Sequence, residues 1–267
     1  MDACFSRSFR QNNDVLPKLV DEFFPTLVNI AAQALQSPPT AANQDAPTLL
    51  HLILKTYSTS IILQLSQHQQ SQQSLAPWGN LLFDVVRLQI PAEAVPEDED
   101  ERERSEWWKA KKWAYKILGR LFHRFGNPSQ LPSSLQKDYG QFADNFVTTF
   151  APQIFKIYLE QVQLYVSNTA WLSKKCQYRI FTFFTEWYVL WYVVGRCSDA
   201  YYVDSVKPKS TWALLKPHFQ DLISNYVYPQ LSFTPAKQES WQTDPIEFVR
   251  TSVGEFVLRH LITASPC

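Results

Sequence analysis

Residues 105–128 read SEWWKAKKWAYKILGRLFHRFGNP. Wound at about 100° per residue, they place Trp107, Ala110, Ala114, Ile117, Leu118, Leu121, Phe122 and Phe125 on one broad face. Lys109, Lys112, Lys116, Arg120 and His123 fall opposite. The pattern predicts an amphipathic helix with one dry side. Its ends are marked too: Ser105 is suited to the N-cap, and the acidic run Glu97–Glu103 lies where the helix dipole is positive. Gly126 and Pro128 then stop it.

Outward from this helix the same periodicity recurs. Toward the N-terminus, Asp14 can cap a helix carrying Val15, Leu16, Leu19, Val20, Phe23, Leu27, Ile30, Ala31, Ala34 and Leu35, with Pro25 expected to kink it. A second run from Thr48 to Leu65 carries Leu49, Leu50, Leu52, Ile53, Tyr57 and Ile61, and a third from Pro77 to Ile90 shows Trp78, Leu81, Leu82, Val85 and Val86. Polar loops are expected over 37–47, over the glutamine-rich 66–76, over the acidic 91–105 and over 232–243. Toward the C-terminus a long pattern from about Asp138 to Tyr165 contains Pro152, where the helix should bend or restart. Trp171 to Val194 is apolar nearly all round, which demands neighbours on more than one face. Two further helices are expected over Thr211–Tyr228 and from Asp244 to about Leu261.

Only six glycines and no convincing alternating run point to an all-α chain. An aromatic residue, a proline and an aliphatic residue recur in order at Phe24-Pro25-x-Leu27, at Phe150 to Ile154 around Pro152, and at Tyr228-Pro229-x-Leu231. The spacings of these prolines lie close to three and two periods of a HEAT-type repeat of about 40 residues.

Composition bounds the function. Hydrophobic residues make up 45% of the chain and aromatic residues 15%, so it must fold. Basic and acidic residues are equal at 25 each, so no overall field favours nucleic acid or an anionic membrane. Cys4, Cys176, Cys197 and Cys267 form no C-x-x-C pair, and the five histidines show no paired-ligand spacing. No phosphate-binding loop, dinucleotide fingerprint or nucleophile elbow occurs, so neither an enzyme nor a cofactor is expected. The first 14 residues contain no apolar core of a secretory signal, and the apolar run from Ile180 is interrupted by Glu186. A soluble protein of a reducing compartment is expected.

Three segments in order carry a resemblance to a known family. Trp107-Trp108-Lys109-x-Lys111-Lys112-Trp113-Ala114 continuing to Arg120-Leu121-Phe122-x-Arg124-Phe125-Gly126 is similar to a stretch of the karyopherin-β (importin-β) nuclear transport receptors, in the branch of importins seven and eight with its fungal relatives. Thr211-Trp212-x-x-Leu215-Lys216-Pro217-His218, extending to Tyr228-Pro229-x-Leu231, and Trp241-Gln242-x-Asp244-Pro245-x-Glu247-Phe248-Val249-Arg250 agree as well. The resemblance implies a HEAT-repeat-like α-solenoid, a right-handed superhelix of antiparallel helical pairs. It implies an internal block of a longer receptor spanning 1–267 as one unit, with an aberrant tail over 257–267. It also implies the partners: basic cargo proteins such as ribosomal proteins or histones, phenylalanine-glycine (FG) repeats of nucleoporins, and the GTPase Ran. The main Ran contact belongs to amino-terminal repeats with no counterpart here, so Ran binding is expected of the full receptor. Localisation would be cytoplasm and nucleus, including the pore.

Two constellations are candidate sites. Glu97, Asp98, Glu99, Asp100, Glu101 and Glu103 form an acidic segment that would attract a basic cargo; the plainer reading is a solvated loop favouring the next helix's positive end by about 0.3–1 kcal/mol. A metal-binding aspartate motif of an isoprenoid enzyme fits poorly, because Pro96, Arg102 and Arg104 surround those carboxylates. Lys109, Lys112, Lys116 and Arg120 form a basic stripe able to dock an acidic partner; alternatively it is only the wet face. A HEAT-type scaffold without a transport role remains open beside the receptor reading.

Overall fold

The computed structural model describes residues 15–40, 45–196, 213–231 and 235–246, and beyond Glu186 only the backbone of its helix. Among the described residues there is no strand. The helices are α1 (Val15–Gln36), α2 (Asp45–Ser60), the short α3 (Gln67–Gln70), α4 (Gln72–Arg87), α5 (Glu99–Arg104) and α6 (Glu106–Arg120). They are followed by α7 (Gln136–Asn145), α8 (Ala151–Val166) and α9 (Lys174–Arg196). Two compact units divide between His218 and Phe219.

In the first unit the long helices alternate between two layers. Helix α2 packs on α6 and α6 on α9, while α1 packs on α4 and α4 on α8. Contacts within a layer advance in step: His51 meets Glu106, Ser58 meets Arg120 and Leu63 meets Arg124, so α2 and α6 run parallel. In the other layer Phe83 meets Phe150 and Arg87 meets Glu160. Between the layers α8 and α9 run antiparallel, as Tyr158 against Phe183 and Phe155 against Phe184 show. This is a HEAT-like α-solenoid packing, in which each pair buries a face against the next.

The core is aromatic. Phe24, Tyr57 and Trp78 cluster where α1, α2 and α4 meet, with Tyr57 and Trp78 at 4.3 Å between ring centroids. Helix α6 lies in the middle. All eight residues of its expected dry face are buried, yet Trp108, Lys111 and Tyr115 are buried too. The single dry side predicted for it is therefore a correction: α2, α4 and α9 cover it from three directions.

Glycine matters where helices approach closely. A Cβ on Gly79 in α4 would lie 1.9 Å from Cζ of Phe150, and one on Gly126 would lie 2.4 Å from Cδ1 of Phe146. The helical run ends at Gly126, as expected from sequence, though without a left-handed cap; Leu121–Gly126 continues α6 as a π-helical segment. A second π segment, Phe146–Phe150, joins α7 to α8 immediately before Pro152. A widened turn here absorbs the missing proline N–H, which is why the expected restart falls at this point.

Other expectations are corrected. Helix α1 is turned relative to its predicted face: Val20, Phe24, Val28, Ala31 and Ala34 are buried, whereas Leu19, Phe23 and Ile30 are exposed. The expected loop 66–76 is helical. Ser66 and Gln69 form a reciprocal capping box, and the buried Gln69 side chain donates to the Ser60 hydroxyl. Local caps thus give the glutamines partners without a wet loop, and α4 starts ahead of Pro77, which lies inside it. The expected loop 91–105 holds a 3₁₀ turn (Ala92–Ala94) and α5, and the loop 37–47 ends early because α2 begins at Asp45. Ser105 occupies the N-cap of α6, but its hydroxyl donates to the Arg102 carbonyl instead of accepting from the helix.

The second unit begins with Phe219–Asp221 (α10), a π segment Leu222–Val227, and α11 (Tyr228–Leu231) containing Pro229; Leu222 and Tyr226 are buried. Helix α12 (Pro235–Thr243) replaces most of the expected loop 232–243. The tail 257–267, most of the helix expected from Asp244, Asp14, Cys4, Cys197 and Cys267 lie outside the described residues.

Candidate functional site

The acidic segment is held at its rear and open at its front. Asp98 caps α5, its Oδ1 accepting from the Glu101 N–H at 2.9 Å. Arg102 donates to the carbonyls of Pro96 and Glu97 at 3.0 Å and lies over the Trp171 ring, which in turn meets Trp108 edge-on. These contacts fix the segment to the first unit. Glu97, Asp98, Glu99, Asp100 and Glu101 remain exposed.

Glu103 has a different role. It accepts from the Ser173 hydroxyl and from Nζ of Lys112 at 3.0 Å, and the Lys112 ammonium also meets the Glu103 carbonyl. Burial pushes its carboxyl up, but the hydrogen bonds from Ser173 and Lys112 outweigh burial and hold it below the ordinary carboxylate value. Glu103 thus clamps α5 to α6 and to the start of α9.

The basic stripe divides in the same way. Lys109 pairs with Glu106 at 2.6 Å, and the other oxygen of Glu106 meets Nδ1 of His51 on α2 at 2.8 Å. Lys112 is taken up by Glu103. Lys116 instead lies 4.1 Å from the centre of the Trp113 ring, and Arg120 donates to the Ser58 carbonyl at 2.9 Å. Neither has a carboxylate partner among the described residues.

Two cations missing from the predicted stripe stand beside this second half. Arg124 continues the row of Lys116 and Arg120 at four-residue intervals, and its Nη2 donates to the Leu63 carbonyl. Arg179, on α9, is near enough to act on the charges of Lys116, Arg120 and His123. Spacing alone could have found Arg124. Arg179 lies on another helix, and its place follows from the packing of α9 on α6, where Phe122 and Phe183 lie 4.8 Å apart.

One cation sits inside. Lys111 donates from Nζ to the Leu88 carbonyl at 2.8 Å beneath the Trp108 ring, and burial lowers its pKa to about 8. The buried thiol of Cys176 is nearby, pushed up to about 12 by its own burial. Among the described residues no group of three or more His, Cys, Asp or Glu is placed to hold a metal ion, and no helix is long and apolar enough to cross a membrane.

Known proteins resemble this chain over most of its length. The chain is 28% identical over 259 residues to Nonsense-mediated mRNA decay protein 5 of Saccharomyces cerevisiae, covering 94% of this chain and 23% of that protein. It is 26% identical over 230 residues to Importin-8 of Mus musculus, covering 86% of this chain and 20% of the relative. The chain is similar to members of the importin-β superfamily over most of its length. An importin beta-like SAD2 homolog of Arabidopsis thaliana, 28% identical over 246 residues, extends the likeness to plants, with 91% of this chain and 21% of the relative covered. The chain spans about a fifth of the length of these relatives. No family model and no solved structure matches it.

Proposed function

We propose that this chain is a segment of a nuclear import receptor that acts by binding, without catalysis and without a cofactor. One observation carries the reading: the stack of paired helices is similar to importins over nearly its whole length. Cargo is a basic protein, of the kind found among ribosomal proteins or histones, attracted by the exposed carboxylates of Glu97, Asp98, Glu99, Asp100 and Glu101 on their anchored helix. FG repeats of nucleoporins bind elsewhere on the helical pairs. Exposed Leu19 and Phe23 of α1, with Leu49 and Leu52 of α2, provide apolar surface for such a ring. Burying one phenylalanine is worth about 1.5–3 kcal/mol, which suits weak contacts that gain strength by repetition. Ran-dependent release is a property of the full receptor, and the receptor moves between cytoplasm and nucleus.

The test is titration of the folded, monodisperse chain with an FG-repeat peptide and its phenylalanine-to-serine control, followed by NMR. Selective weak binding of the first peptide is expected. Identical traces for the two would overturn the pore-binding role of this segment and favour a HEAT scaffold that only holds partner proteins.

A further inference from the structure

We propose that Lys116, Arg120, Arg124 and Arg179 form a docking site for a short acidic peptide, a run of aspartate or glutamate side chains carried by a partner protein. This site does not depend on the transport reading. It is assembled from α6, its π-helical continuation and α9, and so exists only when α9 packs on α6 through Phe122 and Phe183.

The four cations share an unusual condition. Each is held in place by something other than a carboxylate: Lys116 by the Trp113 ring, Arg120 by the Ser58 carbonyl, Arg124 by the Leu63 carbonyl and the Phe125 ring, and Arg179 by the Tyr178 ring. None forms an ion pair among the described residues. Burial, then Arg179 and Arg124, act against the charge on Arg120; burial, then Arg120 and Arg179, act against that on Lys116. A fixed cluster of like charges with an unsatisfied field is relieved by an anion that accepts from several of them. Arginine forks suit carboxylates because they can present two parallel donors.

The surroundings select the occupant. Glu103 and Glu106 close the cluster at one end of α6. Glu186, bound to His123 at 2.8 Å, closes it at the other. A long phosphate backbone running past these ends would meet carboxylates, whereas a peptide with a few acidic side chains fits between them. The equal numbers of acidic and basic residues also leave no extended field to draw in a polynucleotide.

The experiment titrates the full chain with a fluorescent oligoglutamate peptide, read by anisotropy at low salt and again at physiological ionic strength. Salt-sensitive binding is expected. The double variant R124Q/R179Q should weaken it about tenfold or more, as loss of charge-assisted hydrogen bonds demands. The double variant K137Q/K156Q makes the same charge change on exposed lysines of α7 and α8 and should stay within about twofold of the parent. Circular dichroism checks the fold of each, and R124Q alone repeats the test if the double variant does not fold. Absent binding at low salt, equal weakening by the two double variants, or tighter binding of a single-stranded oligonucleotide of the same charge would each overturn the proposal.

Discussion

The two halves of α6 carry the same kind of residue on the same face and treat it in opposite ways. In the first half, Lys109 and Lys112 lie against Glu106 and Glu103, and these carboxylates reach on to His51 and Ser173. In the second half, Lys116 and Arg120 face Arg124 and Arg179. The first half uses its charges to join α2, α5 and the start of α9 to α6; the second has no carboxylate partner among the described residues. A charge pattern therefore marks which face of a helix is wet, while the neighbours decide which of its charges are already neutralised.

The contrast can be broken most forcefully from below. Phe122 is fully buried and its ring lies against Phe183, so Phe122→Ala should cost about 3–5 kcal/mol in urea unfolding and loosen the seam that brings Arg179 to α6. Next in size is Glu103→Gln, which removes the charge shared by Lys112 and Ser173. A loss of about 1–3 kcal/mol is expected, measured as a shift in unfolding midpoint at constant slope. Lys116→Gln, its counterpart in the second half, should change stability by no more than about 0.5 kcal/mol, since no carboxylate is left behind. A loss at Lys116 as large as that at Glu103 would erase the difference between the halves.

Dependence on pH sharpens the same comparison. Glu103 and Glu106 both have folded pKa values below the ordinary 4.5, held there against burial by hydrogen bonds from Ser173 and Lys112 and from Lys109 and His51 respectively. Their contribution is complete above about pH 4.5 and is lost as pH falls through the folded values. Thermal unfolding followed downward from neutral pH should show this loss in the parent and a smaller one in Glu103→Gln. His123 runs the other way. Its hydrogen bond to Glu186 raises its pKa above 6.5, so its contribution is full below that pH and lost as pH rises through the folded value. The side chain is 46% exposed, which makes this the smallest effect; His123→Gln should flatten the stability profile there and change little else.

Much of the fold was legible because helical periodicity is local. Every residue of the dry face expected over 105–128 is buried, although Trp108, Lys111 and Tyr115 join them, and the restart near Pro152 follows from the chemistry of one ring. Legibility failed where neighbours decide. Leu19, Phe23 and Ile30 satisfy the helical spacing as well as Val20, Phe24 and Ala31 do, so α1 offers two overlapping apolar faces, and only α2 and α4 choose between them. The glutamine-rich stretch looked wet because composition counts polar atoms without asking whether they find partners. Gln69 finds Ser60 and Ser66 and is buried.

The sequence by itself determined an all-α chain, the dry side of its central helix and its resemblance to importins, because periodicity and ordered motifs survive without coordinates. Only the tertiary structure decided that Lys111 is buried, that Glu103 serves the fold rather than the open acidic segment, and that Arg179 joins the basic row. The reason is distance along the chain: Glu103 and Ser173 are 70 residues apart and Ser58 and Arg120 are 62 apart, and a charge is neutralised by what lies beside it in space.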